Sequence, residues 1–475
     1  MKPTLPSYDR QKLTPGIVHI GLGNFHRAHM AVYLDDLFAK GLCHDWAILG
    51  AGVREGDARM RDALKAQDCL STVIELDPKG KSARRIGSMI DFLPVEPDNA
   101  ALIAAMIRPE IRIVSLTVTE GGYFINPATG AFDPAHPEIQ ADAATPHRTA
   151  FGAIIAALKA RRAAGTPPFT VMSCDNLPGN GHVTEDAVVG LARLSDPALA
   201  DWIKANVAFP NGMVDRITPA TGPRERAMAA SFGLADDPVP VTCEPFRQWV
   251  LEDNFPAGRP AFEAVGVTLT PHVHAFEMMK IRILNGGHAT IAYPGGLMDV
   301  EYVHEAMAHP LILGLLNKVE TEEIIPYIPP VPDTDLGDYY RLIVDRFSNP
   351  EVADTERRLC LDGSNRQPKF IVPSIRDALA AGGSVEGLAL VSALWCRYCE
   401  GTTDSGAITP PNDPNWEDLT ALATKARHDP SAWLGMTAVY GDLGQNPVFA
   451  GAFSRHLTAL WSKGTRAVLK GYLGG

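Results

Sequence analysis

Basic excess, a disulfide framework and long apolar runs are all missing from this sequence, and each absence closes off a class of function. Acidic residues outnumber Lys and Arg by 55 to 43, for a formal net charge of -12. Nucleic-acid binding draws on clustered cations to neutralise phosphates, so no nucleic-acid partner is expected and a small-molecule ligand is. Seven cysteines are scattered over 475 residues; an odd, sparse set builds no disulfide framework and fits reduced thiols. The one C-x-x-C pair, Cys396 and Cys399, has no second pair to complete a zinc set. It follows the apolar run 391–395 and reads as one wall of a packed helix. No stretch of about 18 apolar residues is present to span a bilayer, and residues 1–9 lack the apolar core of a signal peptide. A cytoplasmic protein with no membrane partner is expected. Internal repeats are also absent.

What is present is the composition of a globular protein, 46% hydrophobic and 21% charged, on a chain too long for one usual core. Two domains are expected, 1–273 and 274–475. Residues 17–20 read as a short buried strand, 21–23 as a turn and 28–40 as a helix with Ala31, Leu34, Leu37 and Phe38 on its apolar stripe. Further strands are predicted at 46–53, 71–74, 111–118 and 169–173, with helices at 100–107 and 149–164. Such alternation indicates an α/β domain with a mostly parallel, doubly wound sheet. From about residue 275 the pattern becomes helical, with stretches at 276–284, 302–307, 311–319, 375–379 and 385–395 separated by proline-rich loops. A dinucleotide-binding domain followed by a mainly helical domain, with the active site between them, is the expected arrangement.

After the first strand, Gly21 and Gly23 fit the turn that brings backbone up to a pyrophosphate at a helix N-terminus. The third glycine of the usual G-x-G-x-x-G is absent, its place taken by His26. Asn24, Phe25, His26 and Arg27 are candidates for phosphate contacts, with Arg27 equally readable as a solvated helix residue. After the second strand, Asp57 is the candidate acid for the ribose hydroxyls, which would disfavour a 2′-phosphate. Arg54 could tolerate that phosphate, and Gly56 offers nothing to exclude it. NAD is the expected cofactor, with NADP as the alternative.

A second cluster lies in the run 277–288. On a regular helix, advancing about 100° per residue, Asn285 stands about 140° round from Lys280 and His288 about 80° round, so the three share one broad face. A Lys becomes a useful base when burial or a nearby cation lowers its pKa toward neutrality, and Met278, Met279, Ile281, Ile283 and Leu284 supply apolar surroundings. An Asn amide can donate to an oxygen that gains charge, and a His can bind a neighbouring hydroxyl. That set suits interconversion of an alcohol and a ketone without a metal. Spacing alone favours the blander alternative, an amphipathic helix with a solvated Lys and a capping Asn.

Five strings change that balance: residues 21–29 (GLGNFHRAH), 117–123 (TVTEGGY), 173–178 (SCDNLP), 213–219 (MVDRITP) and Lys280-x₄-Asn285-x₂-His288. In this order, over nearly the whole chain, they resemble the mannitol dehydrogenase family of long-chain polyol dehydrogenases. The resemblance implies a Rossmann-type N-terminal domain, a mainly α-helical C-terminal domain and metal-independent NAD(P) chemistry. Lys280 would be the general base, Asn176 and Asn285 the pair that holds the reacting oxygen, and His288 a substrate contact. Asp215 and Arg358 would bind polyol hydroxyls, and Glu120 and Glu277 would pass the proton between Lys280 and solvent. Each has a plain alternative: Asp215 paired with Arg216, Glu277 a solvated helix acid, Arg358 in a surface ion pair. Two departures stand out. Arg366 occupies a substrate-contact place where relatives carry Lys, and Gly56 a place where some carry an acid. The implied reaction is oxidation of a polyol at C2 to a ketose, with mannitol to fructose foremost. Sugar acids and their keto forms, arabinitol or sorbitol are the alternative substrates; Arg366 and Lys369 keep a sugar carboxylate open. A non-catalytic dinucleotide sensor is the distant rival. The protein is expected as a monomer or small homo-oligomer.

Overall fold

Ile17, Val18, His19 and Ile20 are all fully buried, as expected of a strand covered on both faces. They belong to β1 (Pro15–Ile20), the central strand of a computed structural model that describes residues 2–126, 129–145 and 147–474. In chain order the other strands are β2 (Ala47–Ala51), β3 (Ser71–Glu75), β4 (Ser82–Ile86), β5 (Met89–Phe92), β6 (Ile113–Leu116), β7 (Thr170–Ser173), β8 (Gly212–Asp215), β9 (Val241–Cys243), β10 (Gln248–Leu251) and β11 (Thr268–Leu269). The main sheet runs β5-β2-β1-β6-β7 and is parallel throughout. From β1 the chain first builds outward through β2 and β5, then returns to lay β6 and β7 on the other side. The order therefore reverses between β1 and β6, and open α/β sheets bind ligands beyond the strand ends at such a point. Two apolar cores cover the faces: Val18 and Ile20 pack into one with helices Ala100–Ile107, Ala150–Ala164 and Asn180–Ser195, and Ile17 into the other with helix Met30–Ala39.

The predicted third strand is real but belongs elsewhere. β3 pairs antiparallel with β4 and parallel with β9 in a separate three-stranded sheet, and the outer place in the main sheet goes to β5. A third small sheet joins β8, β10 and β11. The predicted helix 28–40 is two helices, Asn24–Ala28 and Met30–Ala39, separated at His29, whose φ of -121° and ψ of -95° leave the helical region.

The chain divides into two compact units, Met1–His274 and Ala275–Gly475. Within the second, no strand occurs among the described residues, only isolated bridges. Helix Glu386–Cys399 is buried at every residue after Glu386, the mark of an element surrounded by others. It packs on Gly286–Leu297, Trp416–Ala426 and Pro447–Lys463. Cys396 and Cys399 lie inside this helix, and all seven cysteines are free, six of them buried. No helix among the described residues is long and apolar enough to cross a membrane.

Candidate active site

The turn after β1 is built tightly. Gly21 has φ +99°, and a Cβ there would run into the Thr117 carbonyl at the end of β6, so only glycine fits. The Gly21 carbonyl accepts from the Thr117 hydroxyl and lies 3.1 Å from His19 Nε2. A carbonyl can only accept, so Nε2 carries the proton and Nδ1, 2.8 Å away, accepts from the Ser115 hydroxyl. Gly23 begins the helix Asn24–Ala28, and a Cβ on it would meet no protein atom within 4 Å. Nothing in the protein's own packing asks for glycine there.

Asn24 and Arg27 are engaged within the protein, and burial removes the solvated-residue alternative for Arg27. The Asn24 amide donates to the Pro219 carbonyl (3.1 Å) and the Thr221 hydroxyl (2.9 Å), while its oxygen accepts from Arg27 (2.8 Å). Arg27 is buried and also donates to the carbonyls of Gly23 and Val239. Both side chains hold the turn from inside. Phe25 stacks on His29 at 4.8 Å. His26, in the place of the third glycine, lies flat on His19 with ring centroids 3.4 Å apart, so helix and strand meet through stacked rings instead of through a bare Cα. Burial holds both rings neutral, with the pKa of His19 lowered to about 3.

Asp57 stands one turn beyond β2, at the start of helix Asp57–Ala66. One of its oxygens accepts from the backbone N–H groups of Val53 (3.0 Å) and Arg54 (2.9 Å), and a side chain at Gly52 would collide with it. Arg54 is exposed, and Gly56 has open space about its Cα. Asp215 is buried at the end of β8. The neighbouring Arg216 donates to Glu244 O (3.0 Å), Ala28 O (2.7 Å) and the Glu75 carboxylate (2.7 Å). Arg216 thus ties the end of β8 to the end of the glycine-turn helix.

Asn176 and Glu120 are both exposed, on the loops after β7 and β6. Asp175, which the sequence reading passed over, joins those loops: it accepts from the N–H groups of Val118 (2.9 Å) and Thr119 (3.0 Å) and from the Tyr123 hydroxyl (2.6 Å). Thr119 has φ +67° and ψ 163°, a region nearly reserved for glycine that costs a β-branched residue about 1–3 kcal/mol.

In the second unit, Lys280 to Asn285 form a π-helical turn between helices Val273–Met279 and Gly286–Leu297. The even 100° rotation expected for this run is therefore corrected. Bonds from i to i+5 widen the turn, so the spacing of Asn285 and His288 from Lys280 departs from that of a regular helix. Lys280 and Glu277 are both buried, which removes the solvated-acid alternative for Glu277. His288 stacks on Phe347 at 4.1 Å. Its pKa falls well below the usual value, first through burial and then through Arg358, Arg346 and Arg366 nearby. Arg358 is half exposed and forms a two-bond ion pair with Asp354, the plain alternative to its role as a substrate contact. Arg366 donates to the Leu359 carbonyl (3.1 Å), and Lys369 is exposed. Among the described residues no group of three or more His, Cys, Asp or Glu is placed to hold a metal.

With this geometry in place, comparison with known proteins is decisive. The Rossmann domain of mannitol dehydrogenases matches residues 15–264, and their C-terminal domain matches residues 272–461. The chain belongs to the mannitol dehydrogenase family. Its relatives include a mannitol 2-dehydrogenase of Cereibacter sphaeroides, 72% identical over 99% of this chain and 98% of that one. A mannitol 2-dehydrogenase of Pyrenophora tritici-repentis is 43% identical over 99% of this chain and 84% of that one. Among solved structures, the Pseudomonas fluorescens mannitol 2-dehydrogenase in ternary complex with NAD and D-mannitol is 45% identical, with a TM-score of 0.87 over 100% of this chain and 97% of that one. A substrate-free D-sorbitol dehydrogenase is 35% identical, with a TM-score of 0.91 over 98% and 97%. Membership of the mannitol dehydrogenase family accounts for both units, the Rossmann sheet and the helical C-terminal part.

Proposed function

We propose that this protein oxidises D-mannitol at C2 to D-fructose with NAD⁺, releasing NADH and a proton. The observation that carries the reading is the π-helical turn that holds Asn285 and the buried Lys280 ahead of the helix of His288, in a chain similar to a protein solved with NAD and D-mannitol together. NAD⁺, when bound, supplies the hydride acceptor. Gly21 and Gly23, with the backbone N–H groups of the helix Asn24–Ala28, would hold its pyrophosphate, and Asp57 its ribose.

Lys280 takes the proton from the C2 hydroxyl. Asn176 and Asn285 donate to the oxygen as charge gathers on it, and Glu277 and Glu120 pass the proton onward to solvent. His288, kept neutral by burial, donates or accepts at a neighbouring hydroxyl. Asp215, Arg358 and Arg366 read the remaining hydroxyls, whose orientation distinguishes one hexitol from another. D-sorbitol is the second candidate substrate, favoured by the likeness to a D-sorbitol dehydrogenase; its oxidation at C2 also gives fructose.

The test is NADH formation at alkaline pH from mannitol, sorbitol, arabinitol and mannonate, with each coenzyme and with chelator present. Mannitol with NAD⁺ is expected to react fastest and to be indifferent to chelator. Asn285→Ala should lower kcat by about 100-fold or more, and Lys280→Ala should abolish turnover near neutral pH. Near-normal turnover by both variants at every pH would sink the reading.

A further inference from the structure

We propose that Asp175 is a positioning residue of the reaction, setting Asn176 and Glu120 at the reacting oxygen and the proton path; this rests on the dehydrogenase reading above. The carboxylate and the carbonyl of Asp175 tie the end of β7 to its neighbours. Its carboxylate receives the N–H groups of Val118 and Thr119 and the Tyr123 hydroxyl. Its own N–H donates to the Ser173 hydroxyl (3.2 Å), which is also 2.6 Å from the Tyr123 oxygen. Its carbonyl accepts from Asn180 (3.1 Å), a fully buried amide that also bonds Gly212 at the start of β8.

The two residues assigned to chemistry follow directly on the two ends of this clamp. Asn176 is next after Asp175, and Glu120 is next after Thr119, opening the short turn Glu120–Tyr123 whose last residue the clamp also grips. The clamp is costly in two ways. It buries a carboxylate, whose pKa burial raises against the pull of its three donors, and it holds Thr119 in a conformation foreign to a β-branched side chain. An apolar staple would join the loops without either cost; strain and buried charge kept together beside a reacting site are expected where geometry matters more than stability.

The experiment uses the full chain with mannitol and NAD⁺, comparing wild type, Asp175→Asn, Asn176→Ala and the double variant. Asp175→Asn keeps the shape but turns one acceptor into a donor facing the loop N–H groups. It should lower kcat by about 100-fold, the scale of a displacement of about 1 Å, while KM and NADH affinity by fluorescence stay within about threefold. If Asp175 acts through Asn176 and Glu120, Asp175→Asn should cost about tenfold less in the Asn176→Ala background than in wild type, so that the losses fall well short of multiplying. Multiplicative losses, or a kcat for Asp175→Asn near wild type, would overturn the proposal. Should Asp175→Asn not fold, Tyr123→Phe removes one donor and keeps the carboxylate; a fall in kcat of about tenfold supports the proposal and an unchanged kcat overturns it. Absence of NADH formation by wild type with any polyol overturns the functional reading and this one together.

Discussion

Two glycines of the turn after β1 are glycine for opposite reasons. Gly21 is fenced by its own fold, with a positive φ and the Thr117 carbonyl where a side chain would go. Gly23 is fenced by nothing in the chain. Gly21→Ala is therefore predicted to destabilise the protein by about 3 kcal/mol or more, from strain and overpacking together. Gly23→Ala should leave stability within about 1 kcal/mol and weaken NADH binding by at least about tenfold, since a methyl group removes close backbone contact. Urea unfolding and NADH fluorescence titration separate the two effects; normal NADH affinity in Gly23→Ala would remove this turn from the cofactor site. Legibility also divides at this scale. The glycines, Lys280, Asn285 and His288 stood out as candidates by residue type and by the strings shared with a known family, where spacing alone favoured a plain helix. Asp175 did not, because its donors lie more than fifty residues away at Val118, Thr119 and Tyr123. The inward aim of Asn24 and Arg27 was hidden for the same reason, their partners being Pro219, Thr221 and Val239.

Among the elements, the paired helices Asn24–Ala28 and Met30–Ala39 seat on the sheet through histidine rings. His19 and His29 have their pKa lowered to about 3 by burial, and His26 is held well below 6.5 by burial and by its histidine and arginine neighbours. An unfolded chain binds protons on these groups near pH 6.5 while the folded one does not. Their contribution is therefore complete above about pH 6.5 and is lost as pH falls toward 3, by about 1.4 kcal/mol per pH unit for each ring. His26→Phe keeps a ring over His19 and removes one titration, so the acid slope of urea stability between pH 6.5 and 4.5 should become shallower; an unchanged slope would count against buried neutral rings. The same scale explains where sequence reading of elements went astray. A β-branched run such as 71–75 announces a strand but not its sheet, and β5, with Asp91 in a run of four, is too short and mixed to announce itself. Apolar spacing in 276–284 fits a helix, but a single extra residue in one turn leaves no compositional trace, so the π-helical turn was invisible.

For the whole molecule, buried carboxyl groups add a pH response of the opposite sense to that of the histidines. The second unit buries Glu320 and Glu356, neither of whose carboxyl groups has a hydrogen-bond partner among the described residues. Glu320 lies against Gly287, beside His288, and Glu356 against Gly295. Burial raises both well above 4.5, assisted at Glu356 by Asp354 and opposed by Arg358. A raised carboxyl pKa gives stability that is complete below about pH 4.5 and lost as pH rises toward the folded value. Acid should thus weaken the Rossmann unit through His19, His26 and His29 and the helical one through His288, while alkali weakens the helical one through Glu320 and Glu356. Glu320→Gln, which cannot ionise, is predicted to gain about 2 kcal/mol over wild type at pH 8.5 and little at pH 5. Calorimetry at the two pH values checks this, and an equal effect at both would show that Glu320 does not carry the alkaline loss.

The distribution of thiols makes the folded chain nearly silent to electrophiles. Cys43 alone is half open, and the other six are buried. Burial pushes Cys69 up to about 11 and Cys243 up to about 12, and raises Cys174, Cys360, Cys396 and Cys399 as well. Only a thiolate within reach reacts, so a maleimide should add once, at Cys43, while a molecule that has opened can accept all seven. Mass spectrometry after a brief pulse would then read, molecule by molecule, which copies were shut and which had come apart.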